Sequence, residues 1–217
     1  MVGVQFENDE YYHIYNRGVD KRNIVGDTKD RERFLLSMQL FNAENPIGSI
    51  FENAFKKKAV QSDKRLVDFV AFCLNPNHFH FILCQKKDRG IIKFMHRLST
   101  GYTKYFNERY DRSGALFEGR FKRIHIKNND YLLRLSAYVN LNYRVHGLGR
   151  STSKSSWVEY LVSSPGTGFC ERSIILEQFE NNEEYRIFAE ETVKDIRERR
   201  LEDDSIPNLL LEEVLGS

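Results

Sequence analysis

The sequence predicts an α+β fold built on a mainly antiparallel sheet, and three observations carry that expectation. Its segments run in the order strand, helix, strand, strand, helix, strand, helix, an order with a hairpin and split crossovers but no regular strand–helix alternation. The segments LVDFVAFCLN (66–75) and HFHFILCQ (78–85) are separated only by the tail of an Asn-Pro-Asn turn, a hairpin signal. With 41% hydrophobic and 29% charged residues over 217 positions, the composition is that of a globular chain able to bury a core.

The elements follow in turn. YYHIYNRG (11–18) alternates enough for a first strand, and DTKDRERFLLSMQLFN (27–42) opens on an aspartate and sets Phe34, Leu35, Met38 and Phe41 at helical spacing. Residues 43–65, with Pro46, Gly48 and the run Lys56-Lys57-Lys58, read as a surface excursion. After the hairpin and the polar turn KKDRG, residues 91–110 (IIKFMHRLSTGYTKYFNERY) keep a helical pattern despite Gly101, a residue type that weakens a helix interior. DRSGALFEGRFKRIHIK (111–127) brings Gly114 and Gly119 and then a short strand ending near Ile126. Asn129 or Asp130 can cap the helix YLLRLSAYVNLNYRVHG (131–147), closed by Gly147 and Gly149. Beyond that point STSKSS is a polar linker and SSPGTG a second loop, and two acidic amphipathic helices are expected at roughly 171–182 and 183–200. The chain is therefore divided into a domain over 1–149 and an acidic, mainly helical C-terminal extension over 150–217.

The formal net charge of +2 conceals an asymmetry. Residues 1–85 hold 11 Lys+Arg and 11 Asp+Glu, residues 86–150 hold 15 against 5, and residues 151–217 hold 7 against 15. The basic middle third is interleaved with Tyr102, Tyr105, Phe106, Tyr110, Phe117 and Phe121, a combination suited to a phosphate backbone and its bases. A solvated helical face is the alternative on charge alone. No apolar run approaches the roughly 18 residues that span a bilayer, and MVGVQFENDEYY lacks the basic-then-apolar pattern of a signal peptide; a cytoplasmic location with no membrane partner is expected. Cys73, Cys84 and Cys170 are odd in number and lack CxxC spacing, so buried thiols are expected in place of a disulfide framework or cysteine zinc knuckle.

NPNHFHFILC (75–84) runs a turn into an apolar strand that carries His78 and His80. Side chains alternate along a strand, so the two imidazoles share one face, about 6–7 Å apart at their Cα atoms, while Phe79 and Phe81 take the other. They can converge on one ion or stand independently. His13, His96, His125 and His146 are single and read as structural. A second pair stands on the later helix: Tyr138 and Asn142 are four residues apart and so lie one turn from each other on the same helix face. A phenol can be a nucleophile toward phosphorus, and an amide oxygen can complete a metal shell.

Together, HIYNRG (13–18), LNPNHFHFIL (74–83), SGALFEGRFK (113–122) and YVNLN (138–142) resemble the ordered blocks of single-tyrosine HUH transposases of insertion sequences, in the REP-associated tyrosine transposase branch. The resemblance covers roughly residues 11–149 and implies the HUH endonuclease fold, a ferredoxin-like antiparallel sheet with helices packed on it. It further implies that His78 and His80 bind a divalent cation, Mg²⁺ or Mn²⁺, with Asn142 as third, polar ligand and Tyr138 as nucleophile. One departure is Tyr143, where the family usually has proline; it puts the local helix end in doubt and offers a second phenol.

The activity so implied is metal-dependent cutting and rejoining of single-stranded or hairpin DNA through a 5′-phosphotyrosine, in DNA transposition. A phenol of ordinary pKa about 10 needs help to ionise, and none of these motifs offers an obvious general base. Two imidazoles and an amide form a neutral set, so weak metal affinity without DNA is expected, with Mn²⁺ binding at least as well as Mg²⁺. For DNA contact Arg17, Arg120, Lys122 and Arg123 are favoured, with Arg97 and Lys104 behind them. A monomer or loose homodimer is expected. The competing readings are a catalytically silent or domesticated DNA-binding protein acting at genomic repeats, a replication initiator or relaxase, and a zinc hydrolase needing a further His or carboxylate.

Overall fold

A computed structural model of the chain describes residues 5–45, 64–162 and 168–202. Most of the expected surface excursion, with Pro46, Gly48 and the run Lys56-Lys57-Lys58, residues 163–167 of the SSPGTG loop and the irregular end lie outside the described residues. The strands are β1 (Tyr11–Arg17), β2 (Val67–Leu74), β3 (His78–Gln85), β4 (Lys122–His125) and the short β5 (Lys154–Ser155). The helices are α1 (Thr28–Leu40), α2 (Gly90–Arg109), α3 (Asn129–Asn140), α4 (Asn142–Val145), α5 (Trp157–Leu161), α6 (Ser173–Leu176) and α7 (Asn182–Glu202).

The five strands form one sheet in the order β4-β1-β3-β2-β5, with every neighbouring pair antiparallel. The units β1-α1-β2 and β3-α2-β4 each skip one strand, so the two crossovers interleave and set β1 and β3 at the centre. This is the expected α+β architecture, a ferredoxin-like antiparallel sheet with helices packed on it. β2 and β3 form the expected hairpin, closed by a hydrogen bond from Asn75 N–H to the His78 carbonyl at 2.9 Å. A register shift between Phe69 and Ala71 is a β-bulge.

Each face of the sheet has its own core. Ile14, Phe69, Phe72, Phe79 and Phe81 point to the side covered by α1 and α2, where Phe34, Met38, Phe94, Leu98 and Tyr102 complete an aromatic-rich cluster. Gly101, which the sequence pattern left unexplained inside a helix, is required here: a Cβ would stand 2.6 Å from the Phe41 ring. On the opposite side Val70, Ala71, Cys73 and Ile82 meet Leu135, Tyr138 and Leu141, then Trp157, Tyr160, Tyr185 and Val193. Residues beyond 150 thus contribute an edge strand and the helices α5 and α7 to the second core.

The helix ends follow local chemistry. Asp27 caps α1 by accepting from Asp30 N–H at 3.1 Å. Asn128, one residue before the two expected candidates, caps α3 by accepting from Tyr131 N–H at 2.7 Å. The long helix expected over 131–147 is two helices, because Leu141 at φ −111°, ψ 15° leaves the helical region; Asn142 opens the second. The acidic segment likewise resolves into one turn, α6, and one long helix, α7. The three cysteines are buried free thiols. Among the described residues no helix is long and apolar enough to cross a membrane.

Candidate nucleophile and cation site

β3 lays its residues against β1 in the register Tyr15↔His80 and Arg17↔His78, and opposed residues of an antiparallel pair point to the same face. His78, His80, Tyr15 and Arg17 therefore share the face onto which α3 packs, as the strand alternation predicts. It is not a solvent face: His80, Tyr138, Asn142 and Asn75 are fully buried and His78 is 6% exposed. Tyr138 comes from the last turn of α3, and its ring meets the His80 ring edge-on with centroids 5.5 Å apart. The two imidazoles stand nearly perpendicular, 5.3 Å between centroids.

Hydrogen bonds fix the orientation of both rings. His78 Nδ1 lies 2.6 Å from Asn77 Oδ1; since an amide oxygen only accepts, Nδ1 carries the proton and Nε2 does not. That unprotonated nitrogen lies 3.0 Å from Asn142 Oδ1. Two acceptors at this spacing match one edge of an octahedral shell, about 3.0 Å for bonds near 2.1 Å. His80 Nδ1 lies 2.9 Å from His13 Nε2. Burial pushes the His13 imidazole down to about 3, so it is neutral and can accept from His80 Nδ1–H, the tautomer in which His80 Nε2 carries no proton. Two imidazole nitrogens and an amide oxygen, buried together with a phenol beside them, fit a divalent cation that draws its remaining ligands from water and phosphate. Among the described residues no group of three or more His, Cys, Asp and Glu is placed to hold a metal, so a cation here relies on the amide.

Sequence reasoning passed over four neighbours of the histidine pair. His13 was read as structural, yet it touches His80; the link needs the β1–β3 register, which no local pattern reveals. Asn75 and Asn77 were read only as turn formers, yet both bond to His78. His146, also read as structural, places its ring 4.7 Å from that of His78.

The basic candidates are not gathered at one place. The register Lys122↔Tyr15 continues to His80, so Lys122 shares the histidine face two strands away. Arg17 shares that face too, and its guanidinium is held by Glu118. Arg120 is exposed on the loop entering β4. Arg123 lies toward the other face, 5.5 Å over the Phe6 ring. Arg97 and Lys104 are on α2, across the sheet from Tyr138, and Arg97 donates to the carbonyls of Ala43 and Glu44.

Comparison with family models agrees with the resemblance at the level of the IS200-like family. The family model for IS200-like transposases matches residues 11–142. A solved structure of a REP-associated tyrosine transposase bound to a REP hairpin is similar over 69% of this chain and 76% of that chain, with 14% identity and a TM-score of 0.46. A comparison with curated proteins gives no match. The matched stretch takes in more than half of the chain and contains His78, His80, Tyr138 and Asn142, so this protein belongs to the IS200-like transposase family and is a transposase.

Proposed function

We propose that this transposase cuts and rejoins single-stranded or hairpin DNA through Tyr138, at a cation site formed by His78, His80 and Asn142. The observation that carries the reading is the convergence of the unprotonated His78 Nε2 and Asn142 Oδ1 at 3.0 Å beside the Tyr138–His80 ring pair. A bound Mg²⁺ or Mn²⁺ would supply Lewis-acid polarisation of the scissile phosphate. The Tyr138 oxygen attacks phosphorus and the bond to the 3′ oxygen breaks. The phenol loses its proton, the leaving oxygen gains one, and the products are a 5′-phosphotyrosine and a free 3′-hydroxyl. The ester retains the energy of the broken bond, so the reverse attack rejoins strands without ATP.

The remaining roles follow from position. Asn77 and His13 hold the two imidazoles in the tautomers that present Nε2. Lys122 and Arg17, on the same face, are the cations best placed for the DNA backbone; Arg17 would exchange Glu118 for phosphate. Tyr138 and the histidines come from one chain, which supports a site complete in a single copy and a monomer or loose homodimer.

The test is a denaturing gel of purified protein with a library of short single-stranded DNA hairpins and Mn²⁺, run beside Tyr138→Phe. A protein–DNA adduct that requires metal and disappears in the variant is expected. Cleavage that persists in Tyr138→Phe overturns the assignment of the nucleophile. DNA binding without an adduct, from a library containing the cognate hairpin, favours the catalytically silent DNA-binding reading.

A further inference from the structure

Three polar atoms from three elements meet behind the histidine pair. Asn75 Nδ2, from the β2–β3 turn, lies 2.8 Å from His78 Nε2 and 2.6 Å from Asn142 Oδ1, and those two lie 3.0 Å from each other. The tautomer set by Asn77 makes His78 Nε2 an acceptor, and Asn142 Oδ1 is one by nature. Two lone pairs at this separation repel in a buried site unless something positive stands between or beside them. Here the amide hydrogens of Asn75 do, one toward each acceptor.

We propose that the Asn75 side-chain amide is an internal stand-in for the cation: it holds His78 and Asn142 together in the metal-free protein and is displaced when the ion binds. The inference rests on the cation-site reading above and adds a residue whose effect on the ion is opposite to that of a ligand. A cation bonded to His78 Nε2 and Asn142 Oδ1 competes for the same lone pairs that Asn75 occupies, so both cannot be satisfied together. Side-chain rotation would suffice for displacement: the Asn75 backbone is tied to His78 across the hairpin turn, and among the described residues its Oδ1 is met by a long contact from Cys73 Sγ at 3.5 Å. The metal-free site therefore keeps its ligands oriented, and part of the binding free energy of the ion is spent on breaking two buried hydrogen bonds. Asn75 is in this sense a positioning residue, not a ligand.

The test uses Mn²⁺ alone, followed by electron paramagnetic resonance on the full chain, with metal-free melting temperature as a second readout. Asn75→Leu removes the amide while keeping the number and branching of side-chain heavy atoms, and Asn75→Ala does so without branched methyls should the leucine variant not fold. In either, Mn²⁺ is expected to bind about fivefold more tightly than in the wild type, the scale of one net hydrogen bond, while the metal-free melting temperature falls. Unchanged or weaker Mn²⁺ binding overturns the proposal. A wild-type measurement covers the case in which neither variant folds: the Asn75 side-chain amide signal, in protein carrying ¹⁵N only at asparagine, must shift on Mg²⁺ addition, and an unmoved signal overturns the proposal. His78→Ala separates the two levels. If it binds Mn²⁺ as the wild type does, the cation site itself is wrong and Asn75 falls with it; if it loses Mn²⁺ while Asn75→Leu gains nothing, only the stand-in role fails.

Discussion

The two faces of the central sheet are built from the same strands but from different materials. Toward α1 and α2 the strands send Phe69, Phe72, Phe79 and Phe81 into a cluster dominated by rings and aliphatic chains. Toward α3, α5 and α7 they send His13, His78, His80 and Cys73, and the helices answer with buried Ser136, Asn140, Asn142 and Ser156 as well as apolar groups. Burying polar groups is costly unless each finds a partner, and on this face many do so in chains, while among the described residues His13 Nδ1 and Asn142 Nδ2 meet none. Asn140 Nδ2 donates to the Tyr185 hydroxyl at 2.9 Å, Ser156 Oγ donates to Asn140 Oδ1 at 2.6 Å, and Phe72 N–H donates to Ser156 Oγ at 2.9 Å. One face thus supplies cohesion, and the other uses that support to hold oriented donors and acceptors around Tyr138. A single residue step along β3 moves from one role to the other.

Several substitutions would break or sharpen this division. Phe81→Ala on the apolar face should cost about 3–5 kcal/mol of stability, measured by denaturant unfolding, while Mn²⁺ affinity per folded molecule stays at the wild-type value; a parallel loss of affinity would mean that the faces are not separable. His13→Gln on the polar face should do the reverse, weakening Mn²⁺ binding about 10–100-fold, as loss of a histidine-orienting partner does, with a smaller change in melting temperature. Tyr185→Phe removes the hydroxyl shared by Asn140 and Ser136 and should cost about 1–3 kcal/mol in thermal unfolding; an unchanged melting temperature would show that α7 does not support α3 through this network. The smallest effect is expected from Lys122→Ala, which should lower hairpin affinity and reduce the salt dependence of binding by about one unit, whereas Lys104→Ala, across the sheet, should leave both unchanged in a fluorescence-anisotropy titration.

Much of this was legible in the sequence because it depends on local periodicity. The alternation in HFHFILCQ placed the histidines and phenylalanines of β3 on opposite faces, and its turn, NPN, marked the hairpin. The i, i+4 spacing of Tyr138 and Asn142 survives the break at Leu141, which the helical pattern did not reveal because Leu141 is as apolar as a helix-continuing residue would be. The caps show the same limit: Asn128, Asn129 and Asp130 are all competent, and only the backbone chose the first.

The sequence by itself determined the α+β class, the pairing of β2 with β3, the two residue pairs His78/His80 and Tyr138/Asn142, and the basic middle third, since each is a matter of spacing or composition. The resemblance implied that the two pairs meet, whereas the tertiary structure alone decided that His13 and Asn75 join them and that the acidic C-terminal segment packs behind α3 through Tyr185. The reason is physical: periodicity fixes the direction in which a side chain points, whereas what it meets depends on strand order and register, set by the sum of contacts far apart in the chain.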